Sequence, residues 1–182
     1  NDAAIKYYKE AIQLKPKYSE ALSNLGVIYR EQGNIEKADE CYKKAIKSTP
    51  NMPEAYNNFA ISAMASETWS VSEQNFKKAL MLRPVFLEAC SGLYYSLYNL
   101  YFQKDALRPL RWSLVLGGAH AELFLNLADL YRKLDAHLYS TTNASKAILM
   151  DPSNINGYLQ FGLTSTATRK YQPAVLMYSR AE

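Results

Sequence analysis

The chain has 182 residues, of which 48% are apolar and 21% charged, a balance typical of a globular protein rather than a disordered one. Its net charge of +4 is mild and distributed along the chain, which argues against nucleic-acid binding. The sequence shows no signal peptide and no apolar run of the ~18 residues that a membrane helix needs, so we expect no membrane partner.

Cysteine and histidine usage restricts the chemistry further. Cys41 and Cys90 are far apart and form no metal-binding motif, so we expect buried thiols and a reducing, cytoplasmic or nuclear, compartment. Only His120 and His137 are available for a metal site or a catalytic triad. No phosphate-binding, nucleophile or metalloprotease motif occurs. The sequence therefore predicts a non-enzymatic protein without metal or cofactor.

The chain is built from an internal repeat. Pro16, Pro50 and Pro84 are 34 residues apart, Pro152 follows after twice that interval, and Gly118, another helix breaker, stands at the missing step. Apolar columns keep the same interval, for example Leu22, Tyr56, Cys90, Phe124 and Tyr158. A constant period of this length is typical of repeat architectures.

In chain order, residues 1–18 supply the second helix of a preceding repeat, and residues 19–52 form the first complete repeat. Gly33 suits the left-handed end of its first helix, Asn34 can cap its second helix, and Pro50 ends the pair. Apolar residues recur on both sides of Gly33 with helical spacing: Leu22, Leu25, Tyr29, Ala38, Tyr42 and Ala45. Each repeat is therefore predicted to be a helix–turn–helix.

The later repeats are 53–86, 87–120, 121–154 and 155–182. We expect repeat 87–120 to pack least regularly, because it departs from the columns most often, at Cys90, Tyr94, Leu110, Ser113 and Gly118. The turn glycine is kept only at Gly33, and the equivalent residues are Glu67, Tyr101, Asp135 and Arg169. Because the chain starts on half a repeat and ends without a polar capping helix, we expect a piece of a longer protein.

Residues 19–52 resemble the tetratricopeptide repeat, with matching residues at Leu22, Leu25, Gly26, Tyr29, Ala38, Tyr42, Ala45 and Pro50. The resemblance implies an all-α, right-handed α-solenoid of antiparallel helix pairs that spans residues 1–182 as one domain. It also implies a protein–protein interaction scaffold that binds a peptide segment or a partner protein in a concave groove. Homo-oligomerisation is left open.

The groove would be lined by the first helix of each pair. Amide side chains that recur at the 34-residue interval could pair with both the donors and the acceptors of an extended peptide. This asparagine column consists of Asn24, Asn58 and Asn126, and Gly92 leaves a gap in it. The other candidate groove residues are Ser23, Asn57, Arg30, Tyr95, Tyr98, Asp129 and Arg132. Tyr95 and Tyr98 belong to a tyrosine cluster that either anchors a partner or repairs packing lost at Cys90 and Gly92.

Three further interpretations are open. The asparagine column is similar to the ladder in O-linked N-acetylglucosamine transferases and SPINDLY-type proteins, which would make the chain a substrate-recruiting arm of a glycosyltransferase. A carboxylate clamp for an acidic chaperone terminus is disfavoured, because glutamates such as Glu20, Glu54 and Glu88 stand at the groove entry where cations are needed. The third interpretation is a structural subunit of a stable multiprotein assembly.

Overall fold

A computed structural model describes residues 2–180, without the side chains of Gln103, Tyr171, Val175 and Tyr178. The outer ends of the predicted domain, residues 1 and 182, therefore lie outside the described residues. Within residues 2–180 the secondary structure is helical, as predicted, with no strand. The α-helices are α1 (Asp2–Leu14), α2 (Ser19–Glu31), α3 (Ile35–Ser48), α4 (Pro53–Ala65), α5 (Trp69–Leu82), α6 (Leu87–Asn99), α7 (Leu107–Gly117), α8 (Ala121–Lys133), α9 (His137–Met150), α10 (Ile155–Ala167) and α11 (Tyr171–Ser179).

The helix boundaries confirm the 34-residue repeat. The first helices of successive repeats begin at equivalent positions, Ser19, Pro53, Leu87, Ala121 and Ile155. Each repeat proline lies two residues beyond a helix end, so Pro16, Pro50, Pro84 and Pro152 follow α1, α3, α5 and α9 in the same way. No insertion or deletion interrupts this spacing over the described chain.

Repeat 87–120 is irregular, as predicted. Its second helix begins as a 3-10 turn, Gln103–Ala106, and becomes α-helical only at Leu107. Pro109 explains the change, because proline has no N–H and its ring clashes with the carbonyl four residues earlier in a helix interior. A start at Leu107 places Pro109 in the first turn, where that N–H is not needed. The helix ends at Gly117, before Gly118 at a φ of 81°.

The chain divides into two compact units, Asn1–Leu100 and Tyr101–Glu182, which we call unit 1 and unit 2. The boundary falls inside the irregular repeat, just before its 3-10 turn. In unit 1, α2 packs against α3 and α4 packs against α5, and each pair also contacts the next helix along the chain. In unit 2, α8 packs against α9 and α10 against α11. Each unit therefore stacks helix pairs in chain order, which is the packing of an α-solenoid.

The turns within the repeats share one backbone geometry. In the first turn, Gly33 N–H donates to the carbonyl of Arg30 and Asn34 N–H to that of Tyr29, which is the Schellman motif. Gly33 has a φ of 77°, and the four residues at equivalent positions have φ values between 56° and 63°: Glu67, Tyr101, Asp135 and Arg169. Asn34 caps α3 by accepting a hydrogen bond from Lys37 N–H, as predicted.

The core pairs small residues with large ones. A Cβ atom at Gly26 would lie 2.6 Å from the Tyr42 ring, so only glycine allows α2 and α3 to approach this closely. Tyr42, Ala38 and Ala45 are fully buried. Cys41 and Cys90 are also buried thiols, in agreement with the prediction, and burial raises the pKa of Cys41.

Candidate functional site

Unit 1 contains a cleft of about 450 Å³ lined by the first helices of three successive repeats, α2, α4 and α6. Four of the predicted groove residues line it. The full lining consists of Glu20, Ser23, Asn24, Met52, Glu54, Asn57, Asn58, Phe86 and Glu88. Because the residues at equivalent positions of successive repeats meet here, the cleft is our candidate binding site.

Two amides of the predicted asparagine column are in this cleft in different environments. The Asn24 side chain is exposed. Asn58 is half-buried, and its Nδ2 donates to the Oγ of Ser23 at 3.1 Å, a bond that joins α4 to α2. Ser23 itself is 2% exposed. Asn24 is thus available to a ligand, whereas Asn58 and Ser23 partly serve to hold the two helices together.

Asn57 is the most buried amide of the cleft, with 1% exposure. Its Nδ2 donates to Glu88 Oε2 at 2.9 Å, which links α4 to α6. Its Oδ1 is buried and has no hydrogen-bond partner among the described residues. A buried acceptor without a donor is costly, so this atom is a place where a ligand N–H would gain a hydrogen bond.

Three glutamates give the cleft its charge. Glu20, Glu54 and Glu88 each occupy the second residue of a first helix, where a carboxylate also stabilises the positive end of the helix dipole. Glu54 pairs with Arg83, and Glu88 accepts the bond from Asn57. The sequence places this column at the groove entry, where it disfavours a carboxylate clamp, but these glutamates were not among the candidate binding residues. Their 34-residue recurrence was the signal for including them.

Asn126, Asp129 and Arg132 lie on α8 in unit 2, and the cleft of unit 1 contains none of them. Asn126 is 8% exposed. Asp129 accepts a hydrogen bond from Arg132 Nη2 and another from Lys133 Nζ, both at 2.6 Å. The charge of Asp129 is therefore balanced within its own helix.

The tyrosine cluster lies mainly on α6. Tyr94 is 2% exposed and belongs to the core, whereas Tyr95 is 50% exposed. The ring of Tyr94 has its centroid 5.3 Å from that of Tyr95 and 6.4 Å from that of Tyr98. These rings therefore do not all face one core. Neither Tyr95 nor Tyr98 lines the cleft, so they form a separate candidate surface.

Gly92 is the position of α6 at which the asparagine column has no side chain. The Phe76 ring occupies the space beside Gly92, and a Cβ atom there would lie 2.1 Å from Phe76 Cζ. Phe76 is fully buried. Packing at Gly92 is consequently complete without the tyrosines, because the glycine provides space for a ring from α5.

The last predicted groove residue, Arg30, lies in the final turn of α2. It is half-buried, and its Nε is a buried donor without a partner among the described residues. Arg30 does not line the cleft. It stands near Tyr42, whose phenolate form its charge favours.

Comparison with known proteins supports the repeat assignment. Residues 19–52 match the tetratricopeptide repeat family, and residues 1–29 match a second tetratricopeptide repeat family. No curated protein matches the sequence. The comparisons thus lend no support to the resemblance to O-linked N-acetylglucosamine transferases.

Solved structures share the fold at low sequence identity. YrrB, described as a TPR protein with an unusual peptide-binding site, is 18% identical, with a TM-score of 0.77 over 96% of this chain and 90% of its own. PilF of Pseudomonas aeruginosa is 18% identical, with a TM-score of 0.80 over 97% of this chain and 87% of its own. The APC/C hetero-tetramer Cut9–Hcn1 gives 14% identity and a TM-score of 0.77 over 99% of this chain but 36% of the matched chain.

Within residues 2–180, no helix combines the length and the apolar character needed to cross a membrane. The sequence matches cover the first 52 residues, and the structural matches extend the same arrangement of helix pairs over nearly the whole chain. The chain therefore carries tetratricopeptide repeat sequence in its first 52 residues and has an α-solenoid fold of helix pairs.

Proposed function

We propose that this chain is a non-enzymatic scaffold that binds an extended peptide segment of a partner protein in the cleft of unit 1. The observation that carries the proposal is the buried Oδ1 of Asn57, which has no hydrogen-bond partner among the described residues and belongs to a residue that lines the same cleft as the exposed Asn24. An amide offers both a donor and an acceptor, so Asn24 can pair with a backbone peptide group of the ligand, whatever side chain that ligand residue carries. YrrB, which has this fold and is described as having a peptide-binding site, supports this use of the fold.

A second candidate function is that of a structural subunit in a larger assembly. The match to Cut9–Hcn1, a hetero-tetramer, favours it, because this chain corresponds to about a third of a longer chain in a complex. The exposed ring of Tyr95 would then be an anchor for a folded partner, since tyrosine is enriched in protein interfaces. The glycosyltransferase arm has no comparable observation in its favour.

The test measures binding of the full chain and its variants to an array of short extended peptides. One double variant removes asparagines of the cleft, and another removes the tyrosines of α6. Asn24→Ala with Asn58→Ala should weaken binding about tenfold, which corresponds to ~1.4 kcal/mol. Adding Asn126→Ala tests the predicted contribution of unit 2. Asn75→Ala is the matched control, because Asn75 bonds only to the carbonyl of Val71 in its own helix.

The rival surface is tested by Tyr95→Ala with Tyr98→Ala. Normal binding by the asparagine variant and loss by the tyrosine variant would move the site to the tyrosine surface of α6. An array on which the unmodified chain binds no peptide would refute the proposed function. Circular dichroism and thermal melting check that each variant remains folded.

A further inference from the structure

We infer that the cleft of unit 1 recognises a positively charged peptide, with a lysine or arginine side chain donating to Asn57 Oδ1 and to the carboxylates of Glu88 and Glu20. This inference rests on the proposed peptide-binding function and specifies the chemistry of the partner. It is carried by two independent observations, the orientation of a buried amide and the distribution of charge around it.

The orientation of Asn57 is fixed by its neighbour. A carboxylate oxygen only accepts hydrogen bonds, so Nδ2 of Asn57 must face Glu88 Oε2, 2.9 Å away. The carbonyl end of the amide is then the buried atom left without a donor. Asn57 lines the cleft, so a group that enters there and displaces the neighbouring side chains slightly can supply the missing donor.

The charge of the cleft points to the same class of ligand. Its lining contains the carboxylates of Glu20, Glu54 and Glu88 and no lysine, arginine or histidine. Arg83, outside the lining, pairs with Glu54. Glu88 accepts a hydrogen bond from the uncharged amide of Asn57, and Glu20 is exposed, so the lining offers no cation to either carboxylate.

The helix dipole alone does not account for this arrangement. It favours a carboxylate in the first turn of each of α2, α4 and α6. It does not explain why a residue that lines the same cleft, Asn57, has a buried amide oxygen without a donor among the described residues. A guanidinium or an ammonium group satisfies both features, because it carries several N–H donors and a positive charge.

The probes are three short extended peptides that share the same alanine and serine residues. At the same alternating positions, one peptide carries arginine, the second glutamine and the third glutamate. Binding to the full chain is measured by fluorescence anisotropy. The arginine peptide should bind about tenfold more tightly than the glutamine peptide, and the glutamate peptide should bind least. Raising the salt concentration should weaken binding of the arginine peptide most, because exposed charges are screened.

The variant Glu20→Gln with Glu88→Gln keeps an acceptor at residue 88 for Asn57 and removes two charges. It should reduce arginine-peptide binding about tenfold and reduce glutamine-peptide binding much less. Glu31→Gln is the matched control, because it removes a charge from an exposed position at the far end of α2. Glu20→Gln alone, at an exposed position, keeps the test valid if the double variant unfolds.

Equal binding of the arginine and glutamine peptides, or an unchanged arginine affinity in Glu20→Gln with Glu88→Gln, would overturn the inference. The proposed function would survive that result if the asparagine-dependent binders of the peptide array remain. If neither these probes nor the array binds the chain, both the inference and the proposed function fail.

Discussion

The hydroxyl of Ser72 on α5 lies 2.8 Å from the hydroxyl of Ser96 on α6, and both side chains are fully buried. The pair recurs 68 residues later, where Ser140 Oγ lies 2.7 Å from Thr164 Oγ1 between α9 and α10. Ser72 and Ser140 occupy equivalent positions of their repeats, and the equivalent residues Ala38 and Ala106 are alanines. Each of the two serines has a hydroxyl partner 24 residues further along the chain. A polar atom in the core is thus matched by a second one in the next repeat.

We expect Ser96→Ala to lower the free energy of unfolding by about 1–3 kcal/mol, because it leaves the Ser72 hydroxyl buried without its partner. Adding Ser72→Ala should recover part of that loss, since alanine is buried at the equivalent positions Ala38 and Ala106. Denaturant unfolding of the two single variants and the double variant measures the coupling. Strictly additive losses would contradict this account of the pair.

Gly92→Ala should destabilise the chain by about 1–3 kcal/mol, although alanine is the better helix former, because its Cβ would overlap the buried Phe76 ring. Combining it with Phe76→Leu should cost less than the sum of the two single changes, since the smaller side chain removes the overlap. Denaturation midpoints of the three variants decide the matter. A stabilising Gly92→Ala would show that α5 and α6 are not packed as closely as described.

The turn positions give opposite expectations for two substitutions. Glu67 has a φ of 56°, in the left-handed region that costs an L-residue about 1–2 kcal/mol. Glycine avoids this cost but makes the unfolded chain more flexible. Glu67→Gly should therefore raise the free energy of unfolding by up to ~1 kcal/mol. Gly33→Ala should lower it by ~1 kcal/mol for conformational reasons alone, because nothing lies within 4 Å of the new Cβ.

Thermal melts of these turn variants and of Glu67→Ala separate backbone strain from loss of charge. Glu67→Ala removes the carboxylate but still places a residue with a Cβ atom at the left-handed backbone position, so the strain remains. If it stabilises the protein as much as Glu67→Gly does, the gain comes from the charge and the explanation by strain is wrong.

The sequence predicted the helix boundaries well because several columns agree over a long range. The proline at position 50 and the glycine at position 33 each define a helix end, and both ends recur at the same interval. Column mismatches such as Cys90 predicted irregular packing of repeat 87–120, but they did not predict that its second helix is broken. The cause of the break, Pro109, does not occupy one of the recurring positions that were compared between repeats. Such a comparison cannot detect a residue that changes the helix only through its own backbone.

The candidate site was predicted in part. Helical periodicity placed Ser23, Asn24, Asn57 and Asn58 on the face that lines the cleft. It could not distinguish Asn57, which is 1% exposed, from the adjacent and half-buried Asn58, because burial depends on the neighbouring helix rather than on the period. For the same reason the sequence could not show that the Phe76 ring fills the space at Gly92.

The assignment of faces on α2 is tested by comparing Leu25→Ala with Glu20→Ala. Leu25 is 5% exposed, so its truncation leaves a cavity and should cost ~2–5 kcal/mol. Glu20 is exposed, and its replacement should change the free energy of unfolding by no more than ~0.5 kcal/mol. Equal denaturation midpoints for the two variants would mean that α2 presents a different face to the core.

Tyr42 should make stability depend on pH in the alkaline range. Burial raises the pKa of its hydroxyl from 10.0 to about 12, an effect that the positive charge of Arg30 opposes in part. Because the folded protein holds this proton more tightly than the unfolded chain does, the stabilisation is complete below pH 10 and is lost as the pH rises towards 12. At pH 11 the loss amounts to ~1.4 kcal/mol.

Tyr42→Phe removes this ionisation and keeps the ring against Gly26. At neutral pH the variant should be nearly as stable as the parent, because the Tyr42 hydroxyl makes no hydrogen bond of good geometry among the described residues. At pH 11 it should be more stable than the parent by ~1.4 kcal/mol, measured as a difference in denaturant unfolding. Tyr101→Phe, at an exposed position, is the control for general tyrosine ionisation, and an equal gain there would remove Tyr42 as the source of the pH dependence.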